Sequence, residues 1–334
     1  MKAHLFIKIL SLLAVAALLF AAAPGCAGAG KDKGDGDADK KISVVATIFP
    51  QYDFARRIAG DRANIKLLLK PGMEAHSYEP SPKDIIGIAQ CDLFLNVGGE
   101  SESWLAPVLD SANNPHMRIV SAMDCVEAIE EETAEGMQSR EHPHEAHEEE
   151  AHGGEEGAEE YDEHVWTSPM NAIAIVNAIN RAFCALDPDN AAFYCNNTDA
   201  YVEELTELDG LFREVVAHSK RNLLVFGDRF PLLYFVREYG LEYYAAFPGC
   251  AAETEPSAAT VAFLINTVKR EKVPVVCYIE LSNHKVADAI AEATGARTAL
   301  FHTCHNISAR DFYNGETYLS LMRRNVRVLK EALL

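Results

Sequence analysis

Residues 42–72 read ISVVATIFPQYDFARRIAGDRANIKLLLKPG, and this stretch decides the fold. Its first part, 42–49, is rich in β-branched residues and suits a strand. Residues 51–59 carry apolar side chains at helical spacing and stop at Gly60, a residue suited to a helix end. Residues 63–69 read as a second strand, ending at Pro71-Gly72. Strand, helix and strand in so short a span make a βα unit, and such units build parallel sheets with helical crossovers.

The rhythm continues outward from there. Ser81 is a good N-cap for a helix reaching Gln90, with Pro82 at its first position. Residues 93–97 read as a strand closed by Gly98-Gly99, 103–111 as a helix and 117–120 as a short strand. After a break, 169–186 shows helical spacing. Residues 188–218 form a long amphipathic stretch with Phe193, Val202, Leu205, Leu208, Leu211 and Val215 on one side. Strands are then expected at 223–226, 242–247, 273–279 and 298–302, with helices between them and a closing helix at 318–333. The expected fold is α/β: two parallel-sheet lobes, 42–186 and 219–334, joined by a long helix over 187–218.

The break is the segment 127–163. It holds sixteen acidic residues against one base, Arg140, and few apolar ones. Such a composition cannot bury enough surface to fold alone, so it is expected to be a loop without regular structure. It accounts for most of the net charge of −20. That sign argues against a nucleic-acid partner, because phosphate contacts need clustered Lys and Arg.

The N-terminus has the grammar of an export signal. Lys2 and Lys8 precede an apolar run from Ile9 to Ala23, followed by Pro24, Gly25 and Cys26. The run is short for a membrane span, and no later stretch is long enough for one. Residues 1–25 are expected to be the signal peptide and 26–41, rich in Gly, Asp and Lys, a flexible tether. A Cys after a small residue at this place resembles a bacterial lipobox, which implies a lipid on Cys26 and attachment to the membrane. Ala23 stands where Leu is commonest in that motif, and Pro24 departs from it. Plain secretion is the alternative. Seven cysteines follow, none in a Cys-x-x-Cys pair. Cys91, Cys184 and Cys277 read as core residues, while Cys250 and Cys304 each follow a strand-like run and could pair.

Imidazole and carboxylate groups concentrate where chemistry is expected. His142, His144, His147 and His152 lie inside the acidic segment and form an auxiliary set able to collect a cation. Their spacing does not match the helical zinc-protease motif. His76 follows the second strand and His164 ends the acidic segment. Asp228, Glu280, His302 and His305 all fall at carboxyl ends of expected strands, where parallel sheets place ligand sites. Each has a plainer reading: Asp228 as a helix cap, Glu280 as a partner of Lys285, one of the two histidines as a buried residue satisfying the backbone.

The run 71–84, the segment Asp162-Glu163-His164-Val165-Trp166 after a His-rich acidic insert, and the two-lobe βα order resemble the zinc and manganese solute-binding proteins of ABC importers. Gly315-Glu316-Thr317-Tyr318-Leu319, with Met322 and Asn325, is similar to that family's last helix. The resemblance covers about 42–334. It implies a metal in the cleft between lobes, an ABC permease as partner, and a monomer that binds rather than catalyses. His76 and His164 match the family's first-lobe ligands. The second lobe departs from the pattern: Asp228 stands near the usual His, and His302-Thr303-Cys304-His305 near the usual carboxylate. An exchange of roles is implied, with oxygen from Asp228 and nitrogen from His302 or His305. A nitrogen-rich set favours Zn2+ over Mn2+, the alternative. A secreted zinc hydrolase, with Glu253 or Glu280 as base, and a surface adhesin or metal buffer are the rival functions.

Overall fold

The computed structural model describes residues 41–74, 78–138, 160–251 and 255–334. The first lobe runs β1 (Ile42–Ala46), α1 (Phe49–Ala59), β2 (Ala63–Leu67), α2 (Pro82–Ala89), β3 (Leu93–Asn96), α3 (Leu105–Ala112) and β4 (Arg118–Ser121). Gly60 ends α1 at φ 56°, and Ser81 with Asp84 forms the capping box of α2. Two long helices follow, α4 (Pro169–Leu186) and α5 (Ala191–Ala217). The second lobe then runs β5 (Leu223–Phe230), α6 (Leu233–Tyr239), β6 (Glu242–Pro248), α7 (Ala258–Glu271), β7 (Val275–Tyr278), α8 (Lys285–Thr294), β8 (Arg297–Leu300), α9 (Ala309–Tyr313) and α10 (Tyr318–Leu333).

Each lobe holds a four-stranded sheet, ordered β2-β1-β3-β4 and β6-β5-β7-β8. Every pairing is parallel, as the βα rhythm requires. Both sheets therefore reverse direction of winding at the same relative place. That place opens a crevice at the carboxyl ends of the strands.

One difference from the expected strands matters for the site. β5 runs on past Phe226 to Phe230, with a register shift against β6 between Phe226 and Arg229. Gly227 sits in this irregularity, and a Cβ there would lie 2.4 Å from the Ala287 Cα of α8. The close approach of strand to helix thus demands glycine.

The lobes share one continuous core. Phe54 of α1 meets Tyr201 of α5 and Tyr318 of α10, with ring centroids 6.0 and 4.9 Å apart. Further along α5, Phe212 packs edge-on against Phe235 of α6 at 4.9 Å, and Phe235 reaches Phe301 beyond β8 at 5.4 Å. All of these side chains are fully buried. The linking helix is therefore a packed central beam rather than an exposed tether. α10 crosses back to the first lobe, where the buried Asp53 carboxylate accepts a 2.9 Å hydrogen bond from the Tyr318 backbone N–H.

Both flanks of the acidic segment are built into the fold. Glu130 and Tyr161 form an isolated antiparallel bridge, and the Glu131 N–H donates to the Glu160 carbonyl at 2.7 Å. The strap then crosses the second lobe. Glu131 Oε1 accepts from the Cys250 N–H, the Gln138 N–H donates to the Ala246 carbonyl, and Gln138 Oε1 accepts from the Ser257 N–H. Glu132 pairs with Arg237. The expected span without regular structure took in these flanks. Its polar composition hid them, because hydrogen bonds and ion pairs hold them beside sparse apolar contacts such as those of Ile129 and Met137. His142, His144, His147 and His152 lie outside the described residues, as do Cys26, His76 and Glu253.

Candidate metal centre

His164 stands where both lobes are stitched together. Asp162 before it is anchored to the second lobe, its carbonyl accepting a 2.8 Å hydrogen bond from Tyr234 Oη. Glu163 is anchored to the first lobe, accepting from the Ser101 N–H at 2.9 Å and from the Ser101 hydroxyl. A single 3-10 turn, Val165–Thr167, follows, and Ser168 caps α4 with Pro169 at its first position. The result is a His held rigidly and 1% exposed.

The Asp162 carboxylate sets the chemistry of that ring. Its Oδ1 accepts from the His164 N–H at 2.7 Å and lies 3.2 Å from His164 Nδ1. A proton on Nδ1 bonds to this oxygen, so in the neutral ring the lone pair falls on Nε2. Carboxylate-backed imidazole is the usual arrangement behind a metal-binding His.

His305 comes from the second lobe, beyond β8. Its ring centroid lies 5.3 Å from that of His164, with the planes at 80°. Two imidazoles on one tetrahedral zinc, with Zn–N near 2.0–2.1 Å, would have centroids about 5 Å apart. Trp166 holds the pair in place. Its ring is 5.0 Å from His305 and 5.5 Å from His164, and its Nε1 donates to the Thr303 carbonyl at 2.9 Å. Cys304 takes the left-handed conformation, φ 61°, and turns the chain so that His305 faces the first lobe.

Glu280 shapes the same turn. It accepts from the Thr303 N–H (2.8 Å), the Thr303 hydroxyl (2.6 Å) and the His305 N–H (3.1 Å). Burial raises its carboxyl above the ordinary range against those hydrogen bonds. Glu280, His164 and His305 line one cavity of about 30 Å³, closed on the first-lobe side by Met73 and Glu74. That volume admits an ion or a water, far below the roughly 300–1,000 Å³ of organic-ligand pockets. Among the described residues, no three His, Cys, Asp or Glu side chains are gathered into a metal-binding group. The described part of the centre is the His164–His305 pair with Glu280 beside it.

The other expected residues lie elsewhere. Asp228 accepts from the Arg229 N–H at 2.9 Å and the Ile279 N–H at 3.2 Å, holding the irregular part of β5, and does not line the cavity. His302 is buried, its backbone held on both sides by Asn325 at 2.7 Å. Burial and the nearby Arg324 push its imidazole down to about 4. It too lies outside the cavity lining.

Residues the sequence did not single out complete the frame. Arg229 donates to both carboxylate oxygens of Glu74 at 3.2 Å. Asn306 Nδ2 donates to the carbonyls of Lys70 and Met73 at 2.9 and 2.7 Å. Both reach from the second lobe to the chain that leads into His76. Their side chains gave no periodic signal; only their place at strand ends could have suggested them.

The family model described as zinc-uptake complex component A, periplasmic, matches residues 44–332. The zinc-binding lipoprotein AdcA of Streptococcus pneumoniae is 31% identical over 294 residues, covering 88% of this chain and 56% of the relative. The chain thus spans little more than half the length of that relative. The high-affinity zinc uptake system protein ZnuA of Bacillus subtilis is 32% identical over 314 residues, covering 92% of this chain and 93% of the relative. Among solved structures, the Zn(II)-bound ZnuA-like domain of S. pneumoniae AdcA matches with a TM-score of 0.70 at 29% identity, covering 88% of this chain and 99% of that one. The metal-dependent lipoprotein YcdH of B. subtilis matches at 0.72 and 30%, covering 88% and 100%. With a family model spanning nearly all of both lobes and relatives above 30% identity, the chain belongs to the family of zinc-uptake complex component A.

Proposed function

We propose that this protein captures Zn2+ outside the cytoplasm and delivers it to an ABC import permease. One observation carries the reading: two imidazoles, one from each side of the cleft and one backed by a carboxylate, face each other across a cavity of ion size. His164 and His305 supply two nitrogens and His76 a third. Glu280, which lines the same cavity, is the carboxylate we assign to the sphere. Asp228 and His302 act as structural supports. A nitrogen-rich set of this kind suits Zn2+, whereas Mn2+ favours more oxygen. The relatives named for zinc binding and zinc uptake point the same way.

The function is binding, not catalysis. Glu280 already accepts three hydrogen bonds from the turn it supports, which suits a fixed ligand or brace better than a mobile general base. No described helix is long and apolar enough to cross a membrane. Attachment is assigned to a lipid on Cys26, with residues 27–41 as tether, and the working state to a monomer. The His-rich stretch gathers metal and passes it to the cleft.

The test is a competition titration of the full chain with a zinc chelator, repeated with Mn2+. One tight Zn2+ per chain, lost in both His164→Ala and His76→Ala, is expected. Equal or tighter Mn2+ binding would move the assignment to manganese, and absence of any tight site would overturn it. Removal of residues 139–159 should slow loading while leaving the equilibrium site intact.

A further inference from the structure

The α4–α5 hairpin carries a thiol pair that zinc capture does not use. Cys184 lies in the last turn of α4 and Cys195 in the second turn of α5, with their sulfurs 3.8 Å apart. Asn180 sits one turn before Cys184 and touches both. Its Oδ1 accepts from Cys184 Sγ at 3.4 Å, and its Nδ2 donates to Cys195 Sγ at 3.7 Å. Cys184 was expected in the core but is only half-buried, and Cys195 is exposed. Cys91, Cys277 and Cys304, by contrast, are fully buried.

We propose that Cys184 and Cys195 form a disulfide in the exported protein, a covalent staple across the hairpin that joins the two lobes. A disulfide needs an S–S distance of about 2.05 Å, so the sulfurs must close by roughly 1.8 Å. They lie on adjoining helices with their sulfurs already in contact. Outside the cytoplasm such bonds form and persist.

The chemistry needs a disulfide-bearing oxidant. The exposed Cys195 thiolate attacks one sulfur of the oxidant, breaking the oxidant's S–S bond and releasing one thiolate. The Cys184 thiolate then attacks the Cys195 sulfur of the mixed disulfide and releases the second. The two cysteines lose two protons and two electrons, and the oxidant becomes a pair of thiols. Exposure selects Cys195 as the first nucleophile and Cys184, lodged against α5, as the resolving one.

The purified full chain, equilibrated with glutathione buffers of stepped composition, quenched in acid, alkylated and digested, provides the test. A linked peptide joining Cys184 to Cys195 is expected to accumulate with the two-electron dependence of an intramolecular disulfide. Cys184→Ser should instead trap Cys195 as a glutathione mixed disulfide. The oxidised wild type should melt at a higher temperature than the reduced form, and the double Cys184→Ser, Cys195→Ser variant should show no such redox difference. Recovery of both residues as thiols or separate glutathione adducts under fully oxidising buffer would overturn the proposal. So would linkage of either one to another cysteine.

Discussion

Arg229 and Glu74 join the two lobes directly beside the cavity lined by His164 and His305: a guanidinium rooted in the irregular end of β5 grips the carboxylate of the loop that follows β2. Arg229 is nearly buried, while Glu74 is 43% exposed, so the pair is partly screened by solvent. Its main effect is geometric, because it fixes the chain two residues before His76. Glu74→Gln weakens the grip on that loop without emptying the space. Zinc affinity is expected to fall by about tenfold, roughly 1.4 kcal/mol, measured by chelator competition. Wild-type affinity in this variant would mean that the latch plays no part in presenting the loop.

Asp162 is expected to matter for zinc affinity through its hold on His164. Asp162→Ala removes the oxygen that orients His164, and loss of such a partner typically costs 10–100-fold in metal affinity. Asp162→Asn retains an acceptor and should lose less. Isothermal titration of both variants, with circular dichroism to confirm the fold, checks the order. An Ala variant that binds like wild type would remove Asp162 from the site.

His302 and His305 are three residues apart and are expected to behave oppositely. His305→Ala should abolish tight zinc binding with little change in melting temperature. His302→Ala should keep the site and lose stability, because it opens space where the buried His302 ring stands. Paired zinc titrations and thermal melts separate the two. Loss of the tight site in His302→Ala would exchange the roles assigned here.

Asp53 makes stability depend on pH. Burial raises its carboxyl from the ordinary 3.8 to about 6, against the lowering effect of the Tyr318 N–H and of Arg56 and Arg57. The folded state therefore holds this proton more tightly than the unfolded chain. The stabilising contribution of the protonated acid is complete below about pH 4 and is lost as pH rises through about 6. Above that the native state carries a cost of about 3 kcal/mol. Asp53→Asn keeps an acceptor for Tyr318 and cannot ionise. In urea unfolding it is expected to exceed wild type at about pH 7.5 and to match it near pH 4. An unchanged difference between the two pH values would show that Asp53 ionises without cost.

Much of the architecture was written in local pattern. Strand positions, the Gly60 stop, the Ser81 cap and the long α5 stretch all followed from periodicity and capping, because those signals act over a few residues. The strand-end location of Glu280 and His305 followed from βα topology, whereas His164 stood out by its place at the end of the acidic segment and by the family resemblance. What periodicity could not supply was orientation. Asp228 and His302 also occupy strand ends, yet one is held by the backbone N–H groups of Arg229 and Ile279, and the other has its backbone clasped by Asn325 of α10. That choice depends on the left-handed turn at Cys304 and the bulge in β5, which are tertiary effects. The docked flanks at 127–138 and 160–163 were hidden for a related reason, since side-chain-to-backbone bonds leave no hydrophobic pattern.

The pairing of Glu130 with Tyr161, and of the Glu131 N–H with the Glu160 carbonyl, bears on how this protein can vary. The chain is tied to itself at this point, and its outgoing part stays docked on the second lobe as far as Gln138, so the excursion over 139–159 joins two ends that the fold holds. Doubling the length of such an excursion costs only about 0.6 kcal/mol of closure entropy. Evolution, or an engineer, can therefore lengthen, shorten or rewrite its His and Glu content while His164, a few residues beyond the junction, keeps its position.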